Sequence, residues 1–290
     1  MSQDRLEASL DIDRLPSIDV VRIIQEEDAR IAGAVAAERE KIAHAVDEIA
    51  ERLAHGGRLF YAGAGTSGRI AALDASELPP TYGVDPSFVR VFMAGGERAF
   101  LRSVEGAEDD EDAAIAAVNE NVKADDALVG IAASGTTPYT LAAVRRANML
   151  GALTVGITSV AASPLAAEAD IAIVPQTGPE VIMGSSRMKS GTAQKLVLNT
   201  ISTAVMIRLG RVYSNLMVDM ILGNDKLRSR AVRMVELAAG VLRPTAVQAM
   251  RDADNNVKLA VIIAKKRISA ADARALLDTH GGRLREVLEA

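Results

Sequence analysis

The glycines of YAGAGTSGR fall at Gly63, Gly65 and Gly68, with Thr66 and Ser67 between them. This is the G-x-G-x-x-G spacing with which a strand-to-helix turn approaches a pyrophosphate. A dinucleotide site also calls for an acidic residue at the end of the next strand, about 20 residues on. The nearest candidate, Glu97, comes later, behind an insertion containing SELPPTYG, so the spacing argues for a smaller phosphorylated ligand. A second stretch, ALVGIAASGTTPYTLAAV, has the same strand, hydroxyl-rich loop and helix order, and its loop carries Ser134, Thr136 and Thr137. Hydroxyls and unpaired N–H groups at two helix N-termini would together hold a phosphomonoester. The plainer reading makes each Ser or Thr an N-cap worth about 1 kcal/mol. The recurrence of the loop favours the ligand.

Cations and carboxylates supply the remaining chemistry. GSSRMKSG sets Arg187 and Lys189 beside Ser185 and Ser186, either an anion site or a solvated turn. Basic residues near a helix start oppose the helix dipole and need a reason to be there. Glu77 lies on an otherwise apolar stretch directly before Pro79 and Pro80, where a helix is expected to stop. Apolar surroundings favour the protonated form of a carboxylate and so suit a general acid; the alternative is a surface glutamate at a helix end. In VEGAEDDEDAA a run of acids includes Glu105, Glu108 and Asp110, and spacing alone singles out no base among them.

Composition narrows the rest. With 49 % hydrophobic residues, disorder is excluded, and with 3 % aromatics and no Trp the core must be built from Ala, Val, Ile, Leu and Met. The absence of Cys removes disulfides and thiolate sites, and three scattered His make no metal cluster. A net charge of −5 without a basic stripe argues against nucleic acid as the ligand. MSQDRLEASLDIDRL has no signal-like pattern and no apolar run reaches the ~18 residues of a membrane span, so a soluble cytoplasmic protein is expected.

These residues need a scaffold. Residues 16 to 55 repeat apolar positions at three and four spacing and read as two helices ending at Gly56-Gly57. Short β-branched runs follow at 58–63, 87–95, 127–134, 153–159 and 171–176, alternating with helical stretches, which predicts βαβ units and a parallel sheet covered on both faces. Equivalent loops at two strand C-termini predict one shared cleft. Residues 185 to 210 read as a long helix, and after about 225 a small bundle of three or so helices is expected, with a Thr245–Gln248 capping box and a Ser269–Asp272 cap. The expected division is a domain over 1–225 and a small helical subdomain over 226–290.

GAGTSGR, LDASELPPTYG, VEGAED, GIAASGTTPY, GPEVIMGSSRMKSGTAQKLVLN and NLMVD, in that order over residues 58 to 219, resemble the N-acetylmuramic acid 6-phosphate etherases. LLDTHGGRLREVL is similar to that family's helical end. The resemblance implies an α/β fold, the sugar-isomerase (SIS) type, with a five-stranded parallel sheet, N-terminal helices and a C-terminal helical subdomain. It implies a homodimeric lyase without metal or cofactor that cleaves the D-lactyl ether of N-acetylmuramic acid 6-phosphate in cell-wall sugar recycling. Carried over by motif, Glu77 is the proton donor to the departing lactate and Glu108 the base. Thr66, Ser67, Ser134 and Thr137 would bind the phosphate, and Glu180, Arg187 and Lys189 would lie near the sugar. Thr136 stands where the family often has Arg, Met183 where Thr is common, and Ser190 and Ser214 where Ala and Gly are usual. Two other readings remain open at this point: a non-catalytic phosphosugar sensor, as in the related glucokinase regulatory protein, and an aldose–ketose isomerase.

Overall fold

The computed structural model describes residues 4–290. The chain forms two compact units, one from the residues up to Ser76 with Ser87–Thr203, the other from Glu77–Pro86 with Ala204–Ala290. In chain order the elements are α1 (Ser17–Asp28), α2 (Ile31–Ala36), α3 (Arg39–Ala54), β1 (Leu59–Gly63), α4 (Gly65–Tyr82), β2 (Val89–Met93), α5 (Arg98–Leu101) and α6 (Glu111–Asn121). They continue with β3 (Ala127–Ile131), α7 (Pro138–Met149), β4 (Leu153–Ile157), α8 (Pro164–Glu168), β5 (Ile171–Ile173) and α9 (Lys189–Arg208). The hairpin β6 (Val212–Tyr213) and β7 (Leu216–Met217) leads to α10 (Asp225–Ala239), α11 (Arg243–Asp252), α12 (Val257–Lys266), α13 (Ala270–Thr279) and α14 (Leu284–Glu289).

In the first unit, β1 to β5 form a parallel sheet in the order β2-β1-β3-β4-β5. Every residue of β1, β3 and β4 is buried, as continuous apolar strands covered on both faces must be. One face packs Phe60, Phe92 and Leu128 against Tyr139 and Val144 of α7 and Leu165 of α8, with the Phe60 and Phe92 rings stacked 5.2 Å apart. The strand order decides where a ligand fits. The helix after β1 returns to β2 on one side, while the helix after β3 leads to β4 on the other, so the two loops diverge and leave a crevice at the strand C-termini.

The N-terminal segment departs from expectation: three helices stand where two were expected. The breaks at Arg30 and Glu38 close with i→i−3 hydrogen bonds, Arg30 N to Glu27 O and Glu38 N to Val35 O. Tertiary partners account for them, because Glu27 pairs with Lys189, and the Glu38 carboxylate accepts the Val174 N–H beyond β5 at 3.0 Å. α3 keeps the expected stripe, burying Ile42, Val46, Ile49 and Leu53.

The second unit buries Val218, Val235, Met250, Leu259, Ile262 and Leu284 between its helices. Five helices follow residue 225 rather than about three. Ser269 caps α13 as expected, accepting the Asp272 N–H and donating to its carboxylate. The Thr245 capping box does not form: α11 begins at Arg243 with Pro244 in its first turn, so Thr245 is already inside the helix and Gln248 donates to Asp252 instead. The helix carrying Glu77 does not stop at its prolines either. α4 runs through Pro79 and Pro80 to Tyr82, ending where Gly83, at φ +61°, donates its N–H to Pro79 O. A side chain at Gly83 would place its Cβ 2.4 Å from the Asp219 carbonyl oxygen, so only glycine closes the helix there.

Candidate active site

The loop leaving β1 turns straight into α4, and its last glycine is there for packing. A Cβ on Gly68 would lie 2.2 Å from Met93 Sδ and 2.7 Å from Gly63 O, so helix and sheet touch at this point. Ser67 is thereby drawn inside, 9 % exposed, and donates to Gln194 Oε1 of α9 at 3.0 Å. Thr66 beside it is half-buried. The first N–H groups of α4 have no partners within the helix and face the crevice end of the sheet, a ready anion site.

The loop leaving β3 is built differently. Ser134 Oγ accepts the Thr136 N–H at 3.2 Å and the Thr136 hydroxyl at 2.9 Å, a local turn ahead of the helix. Thus Thr136, the departure from the family pattern, braces Ser134. Thr137 is the N-cap of α7, yet its side chain makes no cap hydrogen bond. The plain N-cap reading therefore does not describe this loop, and Pro138 starts the helix without needing a cap.

Glu108 is exposed on a three-residue 3₁₀ turn, Ala107–Asp109, which Gly106 enters at φ +71°. Asp110 ends that turn and caps α6 by accepting the Ala113 N–H at 2.9 Å. The turn is folded back towards the β1 loop, and Gly65, Arg69, Met93, Glu105 and Glu108 line one cavity of about 360 Å³. That volume lies within the ~300–1,000 Å³ of small-molecule sites. Arg69, whose role the sequence left blank, fastens the far wall by donating from Nε to the carbonyls of Ala99 and Phe100, both at 3.1 Å.

Glu77 is exposed on α4, in the segment that belongs to the second unit. One turn earlier, in the first unit, Asp74 is buried and accepts from Tyr61 Oη at 2.9 Å, Asn199 Nδ2 at 2.6 Å and Ser202 Oγ at 2.9 Å. This three-donor cluster fixes α4 to β1 and α9. Burial first, and then the Asp74 charge, pushes the Tyr61 phenol well above its ordinary range, so it stays a donor. Sequence reasoning missed Asp74; its only signal was an acid on the apolar side of LDASE.

Glu180 and Lys189, expected beside the sugar, are turned inward. The fully buried Glu180 carboxylate accepts the N–H groups of Lys189 and Ser190, both at 3.0 Å, and so caps α9. Lys189, 1 % exposed, reaches Glu27 Oε2 with its Nζ at 2.5 Å. Two carboxylates thus offset a cation that the helix dipole disfavours, which answers why a lysine stands at a helix start. Arg187 is exposed on the preceding turn. Among the described residues no group of three or more His, Asp or Glu is placed to hold a metal ion, and no helix is long and apolar enough to cross a membrane.

Comparison with known proteins gives the fold and the family. Residues 104–204 match the SIS domain model, and residues 41–148 match that of the glucokinase regulatory protein N-terminal SIS domain. The phosphoheptose isomerase from Francisella tularensis superposes with a TM-score of 0.55 at 21 % identity, over 67 % of this chain and 100 % of that one, which shows the fold. The N-acetylmuramic acid 6-phosphate etherase of Symbiobacterium thermophilum is 55 % identical over 90 % of this chain and 87 % of its own length. That of Escherichia coli is 47 % identical over 97 % of this chain and 95 % of its own. With such identity over nearly its whole length, this chain belongs to the N-acetylmuramic acid 6-phosphate etherase family.

Proposed function

We infer that this protein is a carbon–oxygen lyase that cleaves N-acetylmuramic acid 6-phosphate into N-acetylglucosamine 6-phosphate and D-lactate. The observation that carries the site assignment is the cavity shared by the Gly65 loop and Glu108, an anion-binding helix start facing a carboxylate. In the open-chain sugar the C1 aldehyde acidifies the C2 hydrogen, so the substrate supplies its own electron sink and the reaction needs no cofactor. Glu108 removes the C2 proton. The electron pair expels the lactyl oxygen from C3 as Glu77 protonates it, and an alkene conjugated with the aldehyde remains. Water then adds at C3 and a proton returns to C2, so the atoms of one water enter the two products. General acid–base assistance of this kind contributes about 10²- to 10⁴-fold per group.

Ser67, Ser134, Thr66 and Thr137, with the N–H groups of α4, hold the 6-phosphate at the strand ends. Arg187 faces the sugar, while Glu180 and Lys189 shape its turn from inside. A homodimer in the cytoplasm is the working form; exposed Leu15, Ile18 and Val21 on and before α1 support self-association. The test is lactate release from N-acetylmuramic acid 6-phosphate in deuterated water, with mass analysis of the sugar. Release of lactate together with one deuterium at C2 of the sugar product is expected. Binding of the sugar without lactate would replace the lyase by a sensor.

A further inference from the structure

α4 is weakest where Glu77 stands. Pro79 and Pro80 have no N–H, so the carbonyls of Ala75 and Ser76, just before Glu77, receive no helical hydrogen bond from four residues on. The helix cannot hold this turn by its own ladder, and the second unit supplies the hold. Pro80 O accepts the Ile221 N–H at 3.1 Å, and Gly83 lies directly against the Asp219 carbonyl. The 219–221 segment is itself fixed from below. Lys258 of α12, nearly buried, places its Nζ 2.6 Å from Asp219 Oδ2, 3.0 Å from Gly210 O and 2.8 Å from Gly282 O. Its Nζ thus donates to two carbonyls and pairs with the Asp219 carboxylate, joining three separate chain segments. Arg211 adds a longer contact to the same carboxylate at 3.7 Å.

A buried pair of this kind adds little net stability compared with apolar packing, so its use is geometric. We propose that Lys258 and Asp219 are positioning residues: through the 219–221 segment they clamp the proline-broken end of α4 and set the direction of the Glu77 carboxylate. This rests on the reading of Glu77 as the proton donor.

The experiment uses the full chain with Asp219→Asn and with the gentler Lys258→Arg, each alone and combined with Glu77→Gln. Turnover, KM, calorimetric affinity for N-acetylglucosamine 6-phosphate and the thermal midpoint are measured for each. For folded Asp219→Asn, kcat falls about tenfold or more, as expected of a shift near 1 Å. KM and product affinity stay within about twofold, because the phosphate loops are untouched. Lys258→Arg loses less, and supplies the same comparison where Asp219→Asn does not fold. In the Glu77→Gln background neither substitution costs residual turnover further, since both act through the missing acid. Full kcat in both folded single variants, or losses that multiply with Glu77→Gln, would overturn the clamp. Wild-type turnover in Glu77→Gln alone would instead overturn the acid assignment on which it rests.

Discussion

Glu77 and Glu108 stand on supports of opposite kinds. Glu108 occupies a three-residue turn at the mouth of a cavity, hinged on Gly106, whereas Glu77 stands on a helix of 18 residues. The length of that helix is not what makes it firm, because two prolines interrupt its ladder. Firmness comes from contacts on either side of the break, the buried Asp74 before it and the close approach of Gly83 to the Asp219 carbonyl after it. The contrast suits the proposed chemistry. A proton donor must meet one oxygen as it departs, while a base that takes a proton and later returns one tolerates adjustment.

The largest effect should separate the two carboxylates. Glu77→Gln is expected to lower lactate release by about 10²- to 10⁴-fold while phosphosugar binding stays within a few-fold. It should still exchange the C2 hydrogen with deuterated solvent, whereas Glu108→Gln should lose exchange and lactate together. Exchange lost in both variants would erase the difference in roles. Next in size is the support itself. Asp74→Ala strands two buried donors and one half-buried donor and should destabilise the protein by about 3 kcal/mol, read from the urea midpoint. A change under about 1 kcal/mol would show that α4 is held by other means.

Ser134→Ala tests the proposed phosphate contact. Product affinity should weaken by about 0.5 to 3 kcal/mol with kcat at saturation nearly kept, and unchanged affinity in calorimetry removes Ser134 from the phosphate site. The smallest effect concerns the Glu108 side. Burial, and then the Asp110 charge, pushes the Tyr139 phenol up to about 12. A raised folded-state value means that this contribution is whole below about pH 10, where the unfolded phenol is neutral, and is lost between there and about pH 12. Tyr139→Phe should therefore flatten the alkaline fall in stability over that window. An identical fall in the variant would show that the folded protein does not hold the Tyr139 phenol above its ordinary range.

How far these features were legible follows from the range of the interactions behind them. All five strands of the sheet were readable: β1, β3 and β4 are continuous apolar runs buried on both faces, and the edge strands β2 and β5 keep enough β-branched residues to show. The paired loops were readable too, each being a local strand, turn and helix. Proline's effect on α4 was misjudged because what offsets it, the Ile221 N–H, lies far away in the sequence. The break at Glu38 depends on Val174 in the same way. Lys189 looked like a free cation since nothing near it announces Glu27, and Glu108 was hidden in a run of acids until the fold laid Gly65 against it. The hairpin β6–β7 has two residues per strand, too few for any period to show.

The second unit is discontinuous in the chain, with Glu77–Pro86 made long before Ala204–Ala290. During synthesis at about 5–20 residues per second, the segment bearing Glu77 waits roughly 10 to 40 seconds for the last of its partners to be made. Over that interval the segment carrying Glu77 lacks the Ile221 and Asp219 contacts that hold its end of α4, so under the proposed reading the proton donor is the part of the molecule fixed last.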